Sequence, residues 1–408
     1  MTKILTKHFD TESKFHELET YRRLGGYEAL KKARGMERKA VHDEVVKSNL
    51  RGLGGAGFPT GMKWGTVPPE DKLPGPRYVV VNADESEPGC YKDRILLTRA
   101  PHQLIEGLLI ASYVIGAKDS FIFIRGEYQN QYDIVEKALA EAEAAGLLGG
   151  VKIHLMRGAG AYISGLDTAL LETMEGKKAW PRQPPPFPTV AGLMAKPTVV
   201  NNVETLSMLP FIVNEGGEAF AKIGGPKSGG TVLFSISGSV ERPGLYEFPM
   251  GVKLREVLTA CGGPLPGRTL KGVIPGGTSM PPLMPKDLDI SLDFDSVRAA
   301  GTFLGAGGMI VLDETMDAVE IVHNVERFLT HESCGQCTPC REGSFWSERI
   351  LERMLDGHGE QADIDNLARV GDNITGKVIC ALGDTIGMVL KGYLGRYPED
   401  FKKRIPNG

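Results

Sequence analysis

Read as a string of apolar and polar positions, the chain changes its period twice. Residues 12–50 place apolar side chains at helical spacing, among them Tyr21, Leu24, Tyr27, Leu30, Val41, Val45 and Val46. Short continuous apolar runs follow. Tyr78-Val-Val-Val-Asn82 and Ser120-Phe-Ile-Phe-Ile124 predict buried strands, and Val151-Lys-Ile-His-Leu155 predicts a third strand. Between them, residues 101–116 and 130–145 predict helices, and this alternation implies a parallel α/β sheet. Residues 176–198 are rich in proline and basic side chains and read as an ordered loop. A second pattern starts at Thr231-Val-Leu-Phe-Ser-Ile-Ser-Gly238. It continues with 244–248, a helix over 252–261 and Val273-Ile274, and predicts a small α+β domain. From about residue 316 to Tyr393 the period is helical again. The expected domains are therefore 1–226, 227–316 and 317–408.

A length of 408 residues agrees with two or three domains, and an apolar fraction of 41% is enough for ordinary cores. The net charge of −4 argues against nucleic acid as a partner. No apolar run approaches the roughly 18 residues of a membrane span, so no direct span is expected. The 52 glycines cluster in a few loops, which suggests backbone lying close to ligands.

One of those clusters is Gly52-Leu-Gly-Gly-Ala-Gly57, a formal G-x-G-x-x-G. The residues before it look helical, so the strand–turn–helix setting of a dinucleotide fold is missing. Its exposed N–H groups can still cradle a phosphate or a ring edge, or it is a structural turn. The loop Ala83-Asp-Glu-Ser-Glu-Pro-Gly89 follows the first strand and offers Asn82, Asp84, Glu85 and Glu87 at the end where open α/β sheets bind ligands. A solvated acidic turn is the plain alternative. Gly158 to Gly176 follows the third strand and leads into a helix, a good phosphate-binding setting. In Val199-Val-Asn-Asn-Val-Glu-Thr-Leu206 the paired asparagines either cap a helix or bind a ligand.

The most specific chemistry lies in the cysteines. Cys334, Cys337 and Cys340 form C-x-x-C-x-x-C, and Cys380 stands apart in Gly376-Lys-Val-Ile-Cys-Ala-Leu-Gly383. Three close thiolates with one remote partner suit a 4Fe–4S cluster. Zinc sites more often use two separated pairs, and unliganded thiols are the third alternative. A long, cysteine-poor chain without a secretory signal points to a reducing compartment rather than disulfides. Cys90 and Cys261 have no cysteine neighbours and are expected to pack as small residues.

Four motifs occur in order: Gly-Gly-Ala-Gly-Phe-Pro-Thr-Gly, Asn-Ala-Asp-Glu-Ser-Glu-Pro-Gly, Lys-Pro-Thr-Val-Val-Asn-Asn-Val-Glu-Thr-Leu and Glu-Ser-Cys-Gly-Gln-Cys-Thr-Pro-Cys-Arg-Glu-Gly. Through them, from about Gly26 to Lys402, the chain resembles the NADH- and FMN-binding flavoprotein subunit of respiratory NADH:quinone oxidoreductase, complex I. Related diaphorase subunits serve NAD-linked hydrogenases and formate dehydrogenases. The resemblance implies an α/β Rossmann-like FMN domain, then a small ubiquitin-like (β-grasp) α+β domain, then a helical bundle holding the cluster.

It also implies FMN contacts at Gly52, Gly54, Lys63, Asn82, Asp84, Tyr162, Gly165, Asp167, Asn201, Asn202 and Thr205. NADH contacts are implied at Gly55, Gly57, Phe58, Glu85 and Glu87, with Phe187 at the adenine end. No side chain is expected to act as acid or base, because hydride transfer between cofactors needs none. The implied partners are a 2Fe–2S thioredoxin-like subunit and a multi-cluster iron–sulfur subunit. The implied place is cytoplasmic, in the peripheral arm of an inner-membrane complex or in a soluble complex.

The chain departs from the family pattern at several positions. Ser164, Leu166 and Asp167 stand where the family usually has Cys, Glu and Glu. Leu53 stands where arginine is usual, Thr66 where an aromatic is common, and Pro184 where a lysine is common. These positions surround the expected NADH slot more than the flavin. The alternative function is an FMN/4Fe–4S adaptor with weakened or lost NADH use, and a zinc-stapled structural protein is a third class.

Overall fold

A computed structural model describes residues 2–225 and 227–406. Pro226, the end of the first expected domain, and Asn407 and Gly408 lie outside the described residues.

Three short helices open the chain, Leu18–Arg23, Glu28–Arg34 and Arg38–Lys47, where the helical period runs over 12–50. The first sheet has four parallel strands: β1 (Tyr78–Ala83), β2 (Asp119–Ile124), β3 (Lys152–Arg157) and β4 (Thr198–Asn202), in the order β3-β2-β1-β4. Val79, Val80 and Val81 are buried on both faces of the sheet, as continuous apolar runs demand. The long helix Pro101–Ile115 is buried almost all round. It approaches the helix Val203–Ser207 so closely that a Cβ on Gly107 would lie 2.0 Å from the Leu206 carbonyl oxygen. Only glycine fits there.

The strand order turns back at β1. From β1 the chain moves outward to β2 and β3, then returns to place β4 on the other side. The crevice beyond the carboxyl ends of β1 and β4 is the switch point where ligands bind in such sheets. Register pairs Asn82 with Asn202 there.

A mixed sheet follows: β5 (Thr231–Gly238), β6 (Gly244–Pro249), β7 (Leu270–Ile274) and β8 (Gly308–Asp313), in the order β6-β5-β8-β7. Its first and last strands, β5 and β8, pair in parallel at the centre with antiparallel neighbours outside, and the helix Leu254–Ala260 connects β6 to β7. The C-terminal part is a bundle of Ala318–Glu332, Thr338–Arg353, Gln361–Ile374 and Ala381–Arg396, closed by Pro398–Lys402. The class is thus α/β, then small α+β, then helical. Among the described residues no helix is long and apolar enough to cross a membrane.

Two details of the sequence pattern change. The stretch 176–198 holds a short helix, Pro188–Ala191, in addition to loop. Thr198–Asn202, expected to be only the lead into a helix, is the strand β4.

Candidate functional site

The switch-point crevice gathers the loops with the candidate chemistry. Gly52 N–H donates to the Phe58 carbonyl at 2.8 Å, closing the glycine loop on itself. Leu53 N–H donates to Thr205 Oγ1 at 2.8 Å, which ties that loop to the helix after β4. A Cβ on Gly54 would fall 2.9 Å from the Asn202 Cβ, whereas one on Gly55, at φ +135°, would meet open space. Gly57 packs on the far side against Phe294 of the second domain. The backbone around Gly55, beside open space, suits an anionic or carbonyl-edged ligand such as FMN.

Facing this loop, Asn82 Nδ2 donates to the Gly165 carbonyl at 2.7 Å while its Oδ1 accepts from Asp84 N–H. Burial pushes the Asp84 carboxyl up to about 6, against the hydroxyl of Ser86, which donates to it. Lys63 Nζ binds Asp167 Oδ2 at 2.8 Å and the Val200 carbonyl at 2.6 Å, so the lysine spans the crevice. Asn201 lies beneath, accepting from Trp64 Nε1 at 2.9 Å. Tyr162 donates its hydroxyl to Glu87 at 2.6 Å and sets its ring edge-on to Phe328 of the bundle. The structure therefore brings Gly52, Gly54, Lys63, Asn82, Asp84, Tyr162, Gly165, Asp167, Asn201, Asn202 and Thr205 to neighbouring segments around one crevice.

Two expected NADH contacts have other work. Glu85 is buried and accepts from the N–H groups of Asp93 and Arg94 at 2.9 and 3.0 Å and from the Tyr128 hydroxyl at 3.0 Å. It caps the helix Lys92–Arg99, and burial followed by the charge of Asp93 pushes it up to about 7. Glu87 is taken by Tyr162 and by Ser279 N–H and hydroxyl, 2.8 and 3.0 Å away in the second domain. Both carboxylates hold loops together in this arrangement. Gly55, Phe58 and Phe187 do face open space or solvent; the two rings are 51% and 61% exposed.

A buried network that the sequence reading missed supports the crevice. Lys92, 1% exposed, reaches Asp93 Oδ1 at 2.9 Å, Glu204 Oε2 at 2.8 Å and Asn202 Oδ1 at 3.4 Å. Asn202 Nδ2 donates to Asp93 at 2.5 Å, and Asn202 Oδ1 caps the helix Val203–Ser207 by accepting from Glu204 and Thr205 N–H. Both ends of the Asn202 amide are therefore occupied from below, and it meets the glycine loop through its carbon face. Burial pushes Glu204 up to about 7 although Lys92 opposes the shift. Burial alone would lower Lys92, yet the charges of Asp93, Glu204 and Glu85 leave it raised.

The cysteines form a second centre. Cys334, Cys337, Cys340 and Cys380 line one cavity with Ile163, Pro181 and Gln336. Cys337 and Cys380 are the N-cap residues of Thr338–Arg353 and Ala381–Arg396, and Cys340 sits in the first turn. Two helix N-termini thus point at the thiols and favour negative charge. Four thiols around a shared cavity, three on one close spacing and one remote, suit a cube of several irons better than one zinc. Burial and then the neighbouring cysteines raise Cys340 to about 11 against a hydrogen bond from Ser333. Cys90 and Cys261 are buried elsewhere.

Three family descriptions match the chain in order: Nuo51 FMN-binding domain over residues 45–210, SLBB domain over 233–283, and NADH-ubiquinone oxidoreductase-F iron-sulfur binding region over 320–404. The chain is similar to the second F-type subunit of NADH-quinone oxidoreductase of Rhizobium meliloti (strain 1021), 49% identical over 404 residues, covering 96% of this chain and 94% of the relative. It is 45% identical over 401 residues to the F-type subunit of NADH-quinone oxidoreductase of Rickettsia felis, with the same coverage. Among solved structures, a chain of an NAD+-reducing NiFe-hydrogenase in the H2-reduced state matches with a TM-score of 0.86 and 35% identity, over 100% of this chain and 67% of that one.

Proposed function

The chain belongs to the family of F-type subunits of NADH-quinone oxidoreductase, and on that premise we propose that it oxidises NADH with a bound FMN and passes the electrons singly to a 4Fe–4S cluster and on to partner subunits. The observation that most supports this coupling is a shared segment. Tyr162, Gly165 and Asp167 border the crevice, while Ile163 between them lines the cysteine cavity. One short turn thus borders both candidate sites.

FMN, when bound, accepts electrons as a pair and releases them one at a time, which matches a one-electron cluster. The chain's own residues supply position. The N–H groups of 54–57 would hold the phosphate or a ring edge. Asn82, Asp84 and Lys63 would face its polar atoms, and Cys334, Cys337, Cys340 and Cys380 would ligate iron. No side chain needs to move a proton.

The departures from the usual family pattern bear on NADH use. Leu166, where glutamate is usual, packs against the core of the helical bundle. Asp167 is a shorter carboxylate already paired with Lys63. Thr66 bonds Thr189 at 2.9 Å rather than offering a ring, and Leu53 and Pro184 remove two further charges. One missing hydrogen bond to a charged group costs about 1.5–3 kcal/mol, a loss of about tenfold to a hundredfold in affinity. Losing a carboxylate at Leu166 favours the reduced flavin, whereas losing the two cations at Leu53 and Pro184 opposes it.

The test is stopped-flow bleaching of the flavin by NADH in wild type against Leu166→Glu/Asp167→Glu. Saturable reduction with a higher KM in wild type is expected. No reduction of wild type at any concentration transfers the assignment to an adaptor of hydrogenase or formate dehydrogenase type, the reading to which the hydrogenase match lends support. The chain serves as one component of a multisubunit complex. We further propose a 2Fe–2S thioredoxin-like subunit and a multi-cluster subunit as neighbours, a cytoplasmic peripheral arm as the site, and domains of 1–226, 227–316 and 317–408.

A further inference from the structure

The cavity of the four cysteines is not closed by the C-terminal bundle alone. Ile163 and Pro181 line it from the first half of the chain, and Ala179 packs against the bundle's core. Between the two, Trp180 donates its indole N–H to the Cys334 carbonyl at 3.0 Å, with its ring 43% exposed. The other end of this segment is fastened. Arg182 donates to Glu175 at 2.8 Å, to the Gly192 carbonyl at 2.7 Å and to Glu172, and its own N–H donates to Thr168 Oγ1. These anchors, Glu172 and Thr168, lie on the helix Asp167–Met174, which begins at the lysine-paired Asp167 of the crevice.

The bond falls on the ligand that needs it. Cys337, Cys340 and Cys380 are fixed by helix ends. Cys334 lies in the turn beyond the helix Ala318–Glu332, and a helix does not hold it. Its turn is braced by Arg341, which donates to the Gly335 carbonyl at 2.8 Å, and its own carbonyl is taken by Trp180.

We propose that residues 179–182 clamp the cluster, with Trp180 as a positioning residue that fixes Cys334 while its neighbour Pro181 lines the cavity. This rests on the reading that the four cysteines hold a 4Fe–4S cluster. The potential and durability of such a cluster depend on hydrogen bonding and solvent access around its ligands. Trp180→Phe keeps an aromatic ring and loses the donor, Trp180→Ala loses both, and Trp180→His restores a ring N–H.

The experiment uses the purified holoprotein and bathophenanthroline disulfonate as the iron probe. Iron release is expected about three- to tenfold faster in Trp180→Phe, the effect of one hydrogen bond, faster again in Trp180→Ala, and partly restored in Trp180→His. The midpoint potential of the cluster, followed by electron paramagnetic resonance, is expected to fall in Trp180→Phe because the Cys334 carbonyl loses its donor. Flavin content and the rate of flavin bleaching by NADH should not change, which shows that each variant has folded. Wild-type iron release and potential in Trp180→Ala overturn the clamp while leaving the cluster in place. Absence of iron and of a cluster signal from the wild type overturns the cluster reading itself, and the clamp with it.

Discussion

Replacing Lys92 with methionine tests the support beneath the flavin crevice. Methionine matches the length of the side chain and removes its charge. Two carboxylates, Glu204 at 0% and Asp93 at 4% exposure, then lose the cation 2.8 and 2.9 Å from them. Asp93 keeps the amide of Asn202 and Glu204 keeps Leu233 N–H at 2.8 Å, so neither is left bare. Breaking a buried pair by removing one partner costs about 3–5 kcal/mol. For a domain of this size that is a drop of about 6–20 °C in midpoint. Because Asn202 caps Val203–Ser207 and touches Gly54, the loosening should appear first as loss of FMN.

The pH dependence sharpens the test. Glu204 already sits at about 7 against an ordinary 4.5. A carboxyl raised in the fold contributes its stability below its ordinary value and loses it as pH climbs through the raised one. Removing Lys92 lifts it further. The deficit of the variant should therefore be smaller at pH 5.5 than at pH 8. The assay is the temperature at which flavin fluorescence is released, at both pH values, for wild type, Lys92→Met and Lys92→Met/Glu204→Gln. The double variant, with no stranded charge on Glu204, should recover part of the loss. A deficit equal at the two pH values, or a double variant no better than the single, refutes the ion-pair account.

Other substitutions probe the two centres separately. Cys337→Ala should abolish the cluster's paramagnetic signal and loosen the bundle, whereas Cys90→Ala and Cys261→Ala leave the signal intact; iron analysis with electron paramagnetic resonance decides. Gly54→Val pushes a branched side chain against an Asn202 Cβ that a bare Cβ would already meet at 2.9 Å. Overpacking of this kind costs about 1–3 kcal/mol, so flavin occupancy should fall at least severalfold in equilibrium dialysis. Full occupancy would place the ligand elsewhere.

What could be read from the sequence follows from where the information lies. The strands β1 and β2 announce themselves because they are buried apolar runs, and the edge strand β3, Lys152–Arg157, does so by alternation, its residues exposed or half-buried. β4 does not. Its apolar signal is Val199 and Val200, and the asparagines after them look like caps; it is a strand because β1 pairs with it from 120 residues away along the chain. β8 carries a plain apolar run, Met309 to Leu312, but its place beside β5 rests on pairing across the whole second domain. The three cysteines on one spacing and the glycine loop were legible because local backbone geometry fixes what they can do.

The support around those groups is coded differently. Lys92 and Asp93, adjacent in sequence, read as an ordinary surface pair, and only the approach of Asn202 and Glu204 makes them a buried hub. Trp180 reads as a loop aromatic until the turn holding Cys334, 154 residues on, supplies the carbonyl it binds. Glu85 and Glu87 show how tertiary partners add to a local reading. Their position at the end of β1 points to a ligand, but tertiary partners, Tyr128 and the helix Lys92–Arg99 for one, Tyr162 and Ser279 for the other, claim their oxygens first. A buried carboxylate is satisfied by whichever donors the fold brings within reach. In this chain those donors come from elements that a local reading cannot place, so ligand-facing backbone is legible in the sequence and the side chains that hold it are not.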